Sequence, residues 1–477
     1  MSTTRRLRAN RPAAPALEPG VARIRAEMRL PGAFPAEVEA AAREAAAHPR
    51  LPDEDRDDIP FVTIDPPGSM DLDQALHVAR EGDGYLVHYA IADVAAFVAP
   101  GDPVDLEANR RGETLYGAED RIPLHPPVLS EDAASLLPGQ RRPALLWTIR
   151  LDAGGEGTQV DVRRAMVRSR ARLDYDGVQD SIDAGTADPL WALVREVGEL
   201  RIARERRRGG VSLPLPEQEI HGNGDGWRLE YRARRPVEDW NEQLSLLTGM
   251  AAADLMVRNR VGLLRTLPEP PPHAVARLHR TARALGIAWP PASSYPEFIR
   301  SLDPSNPRHV AMMVSCTSVL RGAGYAAFDG ELPEHPMHSA LASTYTHATA
   351  PLRRLVDRYT GELCVALCAG QAPPRWVLDA LPGLPRTMAA AGQRAGRYER
   401  AVIDLAEALV LAPHAGETFE GSIVEVDDRD RRQGTAMLHA LAIEAPVAAD
   451  HDLPLGEVVP LRLDIADPGT RRIRFSV

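Results

Sequence analysis

Three aspartates, Asp65, Asp71 and Asp73, crowd one short stretch of this chain, Ile64-Asp65-Pro-Pro-Gly-Ser-Met-Asp71-Leu-Asp73-Gln74. An apolar β-type run over residues 61–64 leads into it. Pro66, Pro67 and Gly68 then forbid both helix and regular strand. A second β-type run opens at Ala75. The three carboxylates are therefore confined to one tight loop between two strands. Like charges at that range repel, so protons or a cation must neutralise them. Carboxylate oxygens suit a hard cation such as Mg2+. A solvated acidic turn would show the same spacing with no chemistry attached. The loop needs partners from elsewhere in the chain before it reads as a site.

Those partners must be positioned by a long, segmented chain. At 477 residues it exceeds one ordinary domain, and two to four are expected. Hydrophobic residues make up 44%, enough for real cores, while 42 prolines and 36 glycines predict many short elements and turns. The net charge of −11 argues against indiscriminate binding to nucleic acid, although local distribution matters more than the sum. No lysine occurs, so all 56 basic residues are arginines. Any phosphate contact is then a planar guanidinium fork that stays charged. The three cysteines form no disulfide framework, and Cys364 and Cys368 share a helix face as small apolar residues. No apolar run approaches the ~18 residues of a membrane span. Residues 1–12 are rich in arginine but lack the apolar core of a signal peptide. A soluble, cytoplasmic protein is expected.

Residues 1–20, rich in Arg, Ala and Pro, are expected to be mobile. Helices over 21–30 and 36–47, broken between Pro31 and Pro35, form a small hairpin, and an acidic linker follows to Pro60. From Phe61 the pattern turns to strands. Residues 75–79 and 85–93 read as a hairpin around Glu81-Gly-Asp-Gly84, with further strand pairs at 144–151 with 161–167 and at 211–220 with 227–233. Helices are expected over 104–111 and 189–208. Residues from 238 to about 410 are mainly helical, with segments at 238–261, 275–286, 307–320, 349–367 and 387–411. Pro351 falls in the first turn of the 349–367 segment, where proline is tolerated. From residue 418, five short alternating runs predict a small β-barrel of the OB-fold kind. Its only aromatics are Phe419 and Phe475, so base stacking there is expected to be weak.

Together these blocks resemble the RNase II/RNase R family of exoribonucleases. Thr63-Ile-Asp65-Pro and Asp71-Leu-Asp73 are similar to its signature, and His88-Tyr-Ala-Ile-Ala-Asp93-Val to the strand that follows. Leu106, Arg111-Gly, Leu115-Tyr116, Ile122-Pro, Leu129-Ser and Ser135-Leu-Leu-Pro-Gly match the next block. Thr349-Ala-Pro-Leu-Arg353-Arg354-Leu-Val-Asp357 resembles the family's Thr-Ser-Pro-Ile-Arg-Arg-Tyr-Ala-Asp block. The four blocks stand in the family's order across residues 58–410. The resemblance implies an α+β (mixed α/β) RNB-type catalytic body over residues 51–412 and an OB-fold RNA-binding barrel over 413–477. In place of the family's two N-terminal cold-shock barrels stands a small helix-turn-helix-like unit over residues 1–50, open between nucleic-acid contact and plain packing.

The resemblance also implies a reaction, hydrolysis of RNA from its 3′ end to 5′-mononucleotides, with Mg2+ as cofactor and Mn2+ as the alternative. Clustered aspartates hold such cations. Asp65, Asp71, Asp73 and Gln74 are the expected metal ligands, and Asp73 and Arg353 the expected catalytic residues. Arg353 would stabilise charge at the scissile phosphate. Arg354 would contact the phosphate backbone or serve the structure. Tyr116 matches a tyrosine that stacks near the 3′-terminal nucleotide, and its partner aromatic falls at Ser212. Glu242 aligns with a glutamate at the terminal ribose, although the register also admits Gln243 or Glu238. His347 stands open between substrate contact and packing. At Gln74 the chain departs from the family, whose block ends Asp-Asp. A neutral amide there would hold Mg2+ less tightly, which keeps a weak or inactive RNA-binding relative in view. A phosphodiesterase acting on DNA is a third reading. The expected partner is single-stranded RNA, or structured RNA with a 3′ overhang, bound by a monomer.

Overall fold

The computed structural model describes residues 7–9, 14–117, 121–213, 217–222, 227–232, 234–303, 306–320, 322–427, 429–438, 441 and 443–477. Five strands close a first barrel, in the order Phe61–Ile64, Gln74–Glu81, Gly84–Ala92, Arg141–Leu151 and Gly157–Leu173. Neighbours are antiparallel except at the seam, where Phe61–Ile64 runs parallel to Gly157–Leu173. The expected hairpin forms around Gly82, whose φ of 59° is a left-handed conformation open to glycine without strain.

Successive strand residues point to opposite faces, and in this barrel both faces are buried. Leu76, Val78, Tyr89, Ile91, Trp147 and Ile149 share a core with Val194 and Val197 of helix Leu190–Arg208, Trp240 and Leu244 of Pro236–Asn259, and Val356 and Leu363 of Leu355–Cys368. The other face carries smaller residues, Ala75, Ala90, Ala92, Ala144 and Ala165, with Phe61 and Leu146. A second closed barrel follows the order Thr418–Val426, Gln433–Leu438, Glu444–Ala448, Arg472–Ser476 and Val458–Asp467. This is the five-stranded C-terminal barrel expected from the alternating runs. Its core, with Ile423, Val447, Leu461 and Phe475, continues into Tyr398, Val402 and Leu405 of the long helix Leu384–Leu411.

The two N-terminal helices pack on different parts of this body. Ala14–Glu27 buries Leu17, Val21 and Ile24 in the core of the second barrel. Ala36–Ala47, at the expected bounds, buries Val38 and Ala42 against the small-residue face of the first. The stretch expected to be mobile is therefore ordered in part. Leu7–Ala9 pairs parallel with Glu217–Gly222, and the first helix starts at Ala14, because Leu17 extends the apolar face of Val21 and Ile24 upstream.

Three further expectations need correction. Residues 211–213 are not strand, and strand begins only at Glu217; the gap 214–216 and most of the turn over 221–226 lie outside the described residues. The helix expected to reach Val261 ends at Asn259, where Arg260 adopts φ 56° and turns the chain into strand Val261–Thr266. That strand pairs antiparallel with Gly324–Asp329. Val261 continues the apolar spacing of the helix, so the pattern hid the break. The helix expected over 349–367 begins only at Leu355, for reasons that belong to the site. Among the described residues no helix is long and apolar enough to cross a membrane.

Candidate active site

The aspartate loop is pinned at both ends and in the middle. Asp65 follows the last residue of its strand and donates its amide to Leu173 O at the barrel seam, 3.1 Å away. The carbonyl of Asp73 accepts from Ala92 N at 2.9 Å. Between them, Leu72 N donates to Ser135 Oγ at 3.0 Å, and that hydroxyl donates to Met70 O at 2.6 Å.

The acids share one electrostatic neighbourhood. Asp73 is 2% exposed. Its Oδ1 accepts from Leu352 N at 2.8 Å, and its Oδ2 lies 2.9 Å from Arg353 Nε in an ion pair not aligned as a hydrogen bond. Burial pushes the Asp73 carboxyl up to about 7, against the pull of Arg353 and with Asp71 adding to the rise. Asp65 is likewise pushed up to about 7 by burial, opposed by Arg353 and reinforced by Asp71. Asp71 itself is ion-paired to Arg121, which also reaches Glu131 at 2.9 Å.

Arg353 and Arg354 stand on a loop rather than on a helix. Arg354 is extended, with φ −134° and ψ 125°, immediately before helix Leu355–Cys368. The backbone groups that an earlier helical turn would use are claimed from outside. Thr349 O accepts from Gln74 Nε2 at 2.7 Å, and Ala350 N donates to Asp357 Oδ1 at 2.7 Å. Leu352 N serves Asp73, while Arg353 O accepts from Thr114 N at 3.0 Å and Leu355 N donates to Gly112 O at 3.0 Å. Arg354 forks its Nε and Nη2 onto Asp357 at 2.9 and 2.8 Å. Arg353 is left as the guanidinium facing the acids.

Tyr116 lies near Arg121 and Arg353, and Glu242 stands on helix Pro236–Asn259, which touches the arginine loop through Ser245. Tyr116 pairs with Arg121 in a two-residue hairpin, just before residues 118–120, which lie outside the described residues. Its hydroxyl is close enough to influence the charge of both Arg121 and Arg353. Burial works to raise the Glu242 carboxyl, but Arg234, at 2.8 Å, outweighs it and holds the group below the usual range. Ser245, one turn along the same helix face, places its Oγ 2.9 Å from Thr349 Oγ1. The two alternative registers are occupied elsewhere. Glu238 pairs with Arg232 at 2.9 Å and accepts from Arg235 N at 2.9 Å, while Gln243 Nε2 donates to Glu205 at 2.7 Å. Ser212 donates to that same Glu205 at 2.5 Å. His347 is packed, hydrogen-bonded through Nδ1 to Tyr325 Oη at 2.6 Å and edge-on to Tyr345.

Gln74, expected among the metal ligands, is engaged within the chain at both ends. Tyr89 Oη donates to its Oε1 at 2.5 Å, and its Nε2 donates to Thr349 O. Sequence reasoning also missed Tyr175, whose Oη accepts from Asn241 Nδ2 at 3.1 Å. Burial, with the charge of Asp65 adding, pushes that phenol's pKa up. Its place next to Asp65 comes from the parallel seam, which no local pattern announces.

Among the described residues, no three His, Cys, Asp or Glu side chains converge as a ready-made cation cage. The donor chemistry nonetheless suits a hard cation. Asp73 Oδ2 is buried without a hydrogen bond, and burial, which Arg353 only partly offsets, makes Asp65 and Asp73 both resist ionisation. Arg121 and Arg353 supply the counter-charge to Asp71 and Asp73.

A groove of about 790 Å³ lies between the long helix and a turn of the second barrel, lined by Gly392, Gly396, Arg397, Arg400, Asp404 and Arg471. A Cβ on Gly392 would stand 3.9 Å from the Glu113 carboxylate, and Glu113 bridges Arg354 through the backbone.

The RNB domain model matches residues 54–368, and the model of the RNase II-type exonuclease C-terminal S1 domain matches residues 417–477. Ribonuclease R of Escherichia coli (strain K12) is 28% identical over 396 residues, covering 77% of this chain and 48% of the relative. The chain thus spans about half the length of that relative. The apo form of Mycoplasma genitalium RNase R has a TM-score of 0.84 at 20% identity, over 97% of this chain and 78% of that one. Yeast Ssd1, a pseudonuclease, has a TM-score of 0.67 at 16% identity, over 92% and 53%. At these identities the likeness to the solved structures is one of fold.

Proposed function

Because this chain belongs to the RNB family of RNase II-type ribonucleases, we propose that it hydrolyses single-stranded RNA from the 3′ end, releasing 5′-mononucleotides. The observation that carries this reading is the junction at Asp73, where a buried carboxylate is oriented by Leu352 N and faces Arg353 at 2.9 Å, beside Asp65 and Asp71. Asp65, Asp71 and Asp73 would hold a divalent cation, Mg2+ or Mn2+, which lowers the pKa of bound water and offsets charge on the phosphate. Leu352 N keeps Asp73 in one orientation. Arg353, once its claim on Asp73 is relieved, binds the scissile phosphate where negative charge develops. Tyr116 stacks on a base near the 3′ end, a contact worth ~1–3 kcal/mol. Glu242, ionised against Arg234, accepts from the terminal 2′-hydroxyl, the group that separates RNA from DNA. Arg397, Arg400 and Arg471 line the approach for the phosphate backbone of a single strand, including one carried as the 3′ overhang of a structured RNA.

A second reading, a relative that grips RNA but cleaves it weakly or not at all, is favoured by Gln74 at the end of the aspartate block and by the likeness to a pseudonuclease. Labelled single-stranded RNA and DNA of one sequence, incubated with Mg2+ or Mn2+, separate the readings. Mononucleotides from RNA alone are expected, and Asp73→Asn should abolish turnover while sparing RNA binding. Retention without cleavage supports the second reading, and equal cleavage of DNA refutes the RNA assignment.

A further inference from the structure

We propose that Gln74 is a positioning residue, an amide splint between the carboxylate loop and the arginine loop that acts through Arg353 and not as a cation ligand. This rests on the nuclease reading above. Gln74 opens strand Gln74–Glu81 and pairs across to Ile91, two residues along the ladder from the Leu76–Tyr89 pair. Gln74 and Tyr89 are therefore diagonal neighbours on the same sheet face, within reach for long side chains. Tyr89 is 0% exposed and Thr349 2%. The hydrogen bonds run from Tyr89 Oη to Gln74 Oε1 at 2.5 Å, from Gln74 Nε2 to Thr349 O at 2.7 Å, and between Thr349 Oγ1 and Ser245 Oγ at 2.9 Å. One side chain thus joins the barrel wall, the arginine loop and, through Thr349, the helix that carries Glu242.

An amide completes this chain at any pH, because it accepts from Tyr89 and donates to Thr349 O at once, whereas a carboxyl could do both only while protonated. A carboxylate at residue 74 would set oxygen against oxygen at Thr349, and an apolar side chain would leave two buried groups unmatched. The splint matters to the reaction through its place. Gln74–Thr349 and Asp73–Leu352 are two rungs between the same two loops, and Arg353 directly follows the second. With the Gln74 rung removed, Leu352 N, Arg353 O and Leu355 N keep their partners, but Thr349 O loses its tie to the barrel wall, and the approach of Arg353 to Asp73 is held less tightly.

Gln74→Met and Tyr89→Phe, each alone and combined with Arg353→Ala, test this in the full chain. Each single variant should slow single-turnover RNA cleavage about ten- to a hundredfold, the scale of an ångström-level displacement. Mn2+ affinity, read by calorimetry, should stay within about threefold of wild type, well short of the ~10- to 100-fold cost of disturbing a metal ligand's shell. Neither variant should add a loss in the Arg353→Ala background. Amide exchange over residues 349–355 should quicken in both variants, a readout that needs no activity. A tenfold or greater weakening of Mn2+ binding in Gln74→Met with Tyr89→Phe silent would make Gln74 a ligand and overturn the proposal. Unchanged exchange, or full additivity with Arg353→Ala, also overturns it. Failure of the wild-type chain to cleave RNA would sink the nuclease reading instead, and the exchange data alone would then decide the splint.

Discussion

Asp357→Asn tests whether the arginine loop rests on one buried carboxylate. Asp357 is 1% exposed and accepts from Ala350 N at 2.7 Å and from Arg354 at 2.8 and 2.9 Å. Asparagine keeps the size and one acceptor, but it removes the charge and turns a donor toward the guanidinium. Breaking a buried ion pair from one side costs ~3–5 kcal/mol, because the remaining charge is left uncompensated. The Arg354 side chain is 24% exposed, so water recovers part of that. The expected loss is about 2–4 kcal/mol in unfolding free energy, roughly a 30- to 900-fold fall in the folded-to-unfolded ratio. Urea unfolding of the two proteins reads it as a lower midpoint at similar slope. The double variant Arg354→Met with Asp357→Leu should regain most of the stability, since apolar replacement of a buried pair is often neutral or better. RNA cleavage should fall in both. A loss below about 1 kcal/mol for Asp357→Asn, or losses that simply add in the double variant, would refute the account.

The metal-free chain should lose stability as pH rises from about 4 to about 7. A carboxyl whose folded pKa is raised holds its proton more tightly in the folded state, so ionisation favours unfolding across that window and adds nothing above it. Asp73, at about 7 when folded, contributes at most about 4 kcal/mol by linkage; urea midpoints at pH 5 and pH 8 should fall in that order, and Asp73→Asn should flatten the difference. Tyr116→Ala, measured in the non-cleaving Asp73→Asn background, should weaken RNA binding by ~1–3 kcal/mol, while Tyr116→Phe keeps it. Exposed Arg397 and Arg400 line the groove, so replacing both with Gln should lower the slope of log affinity against log salt by about 1.4 for a single strand, with unfolding unchanged.

The aspartate loop was legible because Pro66, Pro67 and Gly68 interrupt two β-type runs between acids, a pattern with few physical solutions. Helix Ala36–Ala47 and the five C-terminal strands followed from equally local periodicity. What stayed hidden depends on tertiary partners. The parallel seam between Phe61–Ile64 and Gly157–Leu173 joins segments far apart in the chain, and it brings Tyr175 near Asp65. The late start of helix Leu355–Cys368 is set by hydrogen bonds with Asp73, Gln74, Gly112, Thr114 and Asp357, none of which alters the helical spacing of residues 349–367. The identity of Gln74 was legible, but its use was not, because Tyr89 and Thr349 meet it only once the barrel has closed.

The pairing of charges at the centre has a consequence for how substrate and cation bind. Asp71, Asp73 and Asp357 each face a guanidinium, from Arg121, Arg353 and Arg354 respectively, while among the described residues none is ion-paired to Asp65. A cation bound by Asp65, Asp71 and Asp73 must compete with Arg121 and Arg353 for two of its ligands. Arg353, displaced from a carboxylate that is 2% exposed, needs a new anion, and under the proposed reaction the scissile phosphate would be one. Each ligand therefore removes a cost of binding the other, and the coupling must be reciprocal. Mn2+ should bind the Asp73-intact protein more tightly in the presence of a cleavage-resistant RNA, and that RNA more tightly in the presence of Mn2+, by the same factor of about 5–150. Arg353→Ala should raise Mn2+ affinity in the absence of RNA and abolish the coupling. Independent binding of the two in the wild-type chain would show that the Asp73–Arg353 pair does not break when the site is filled.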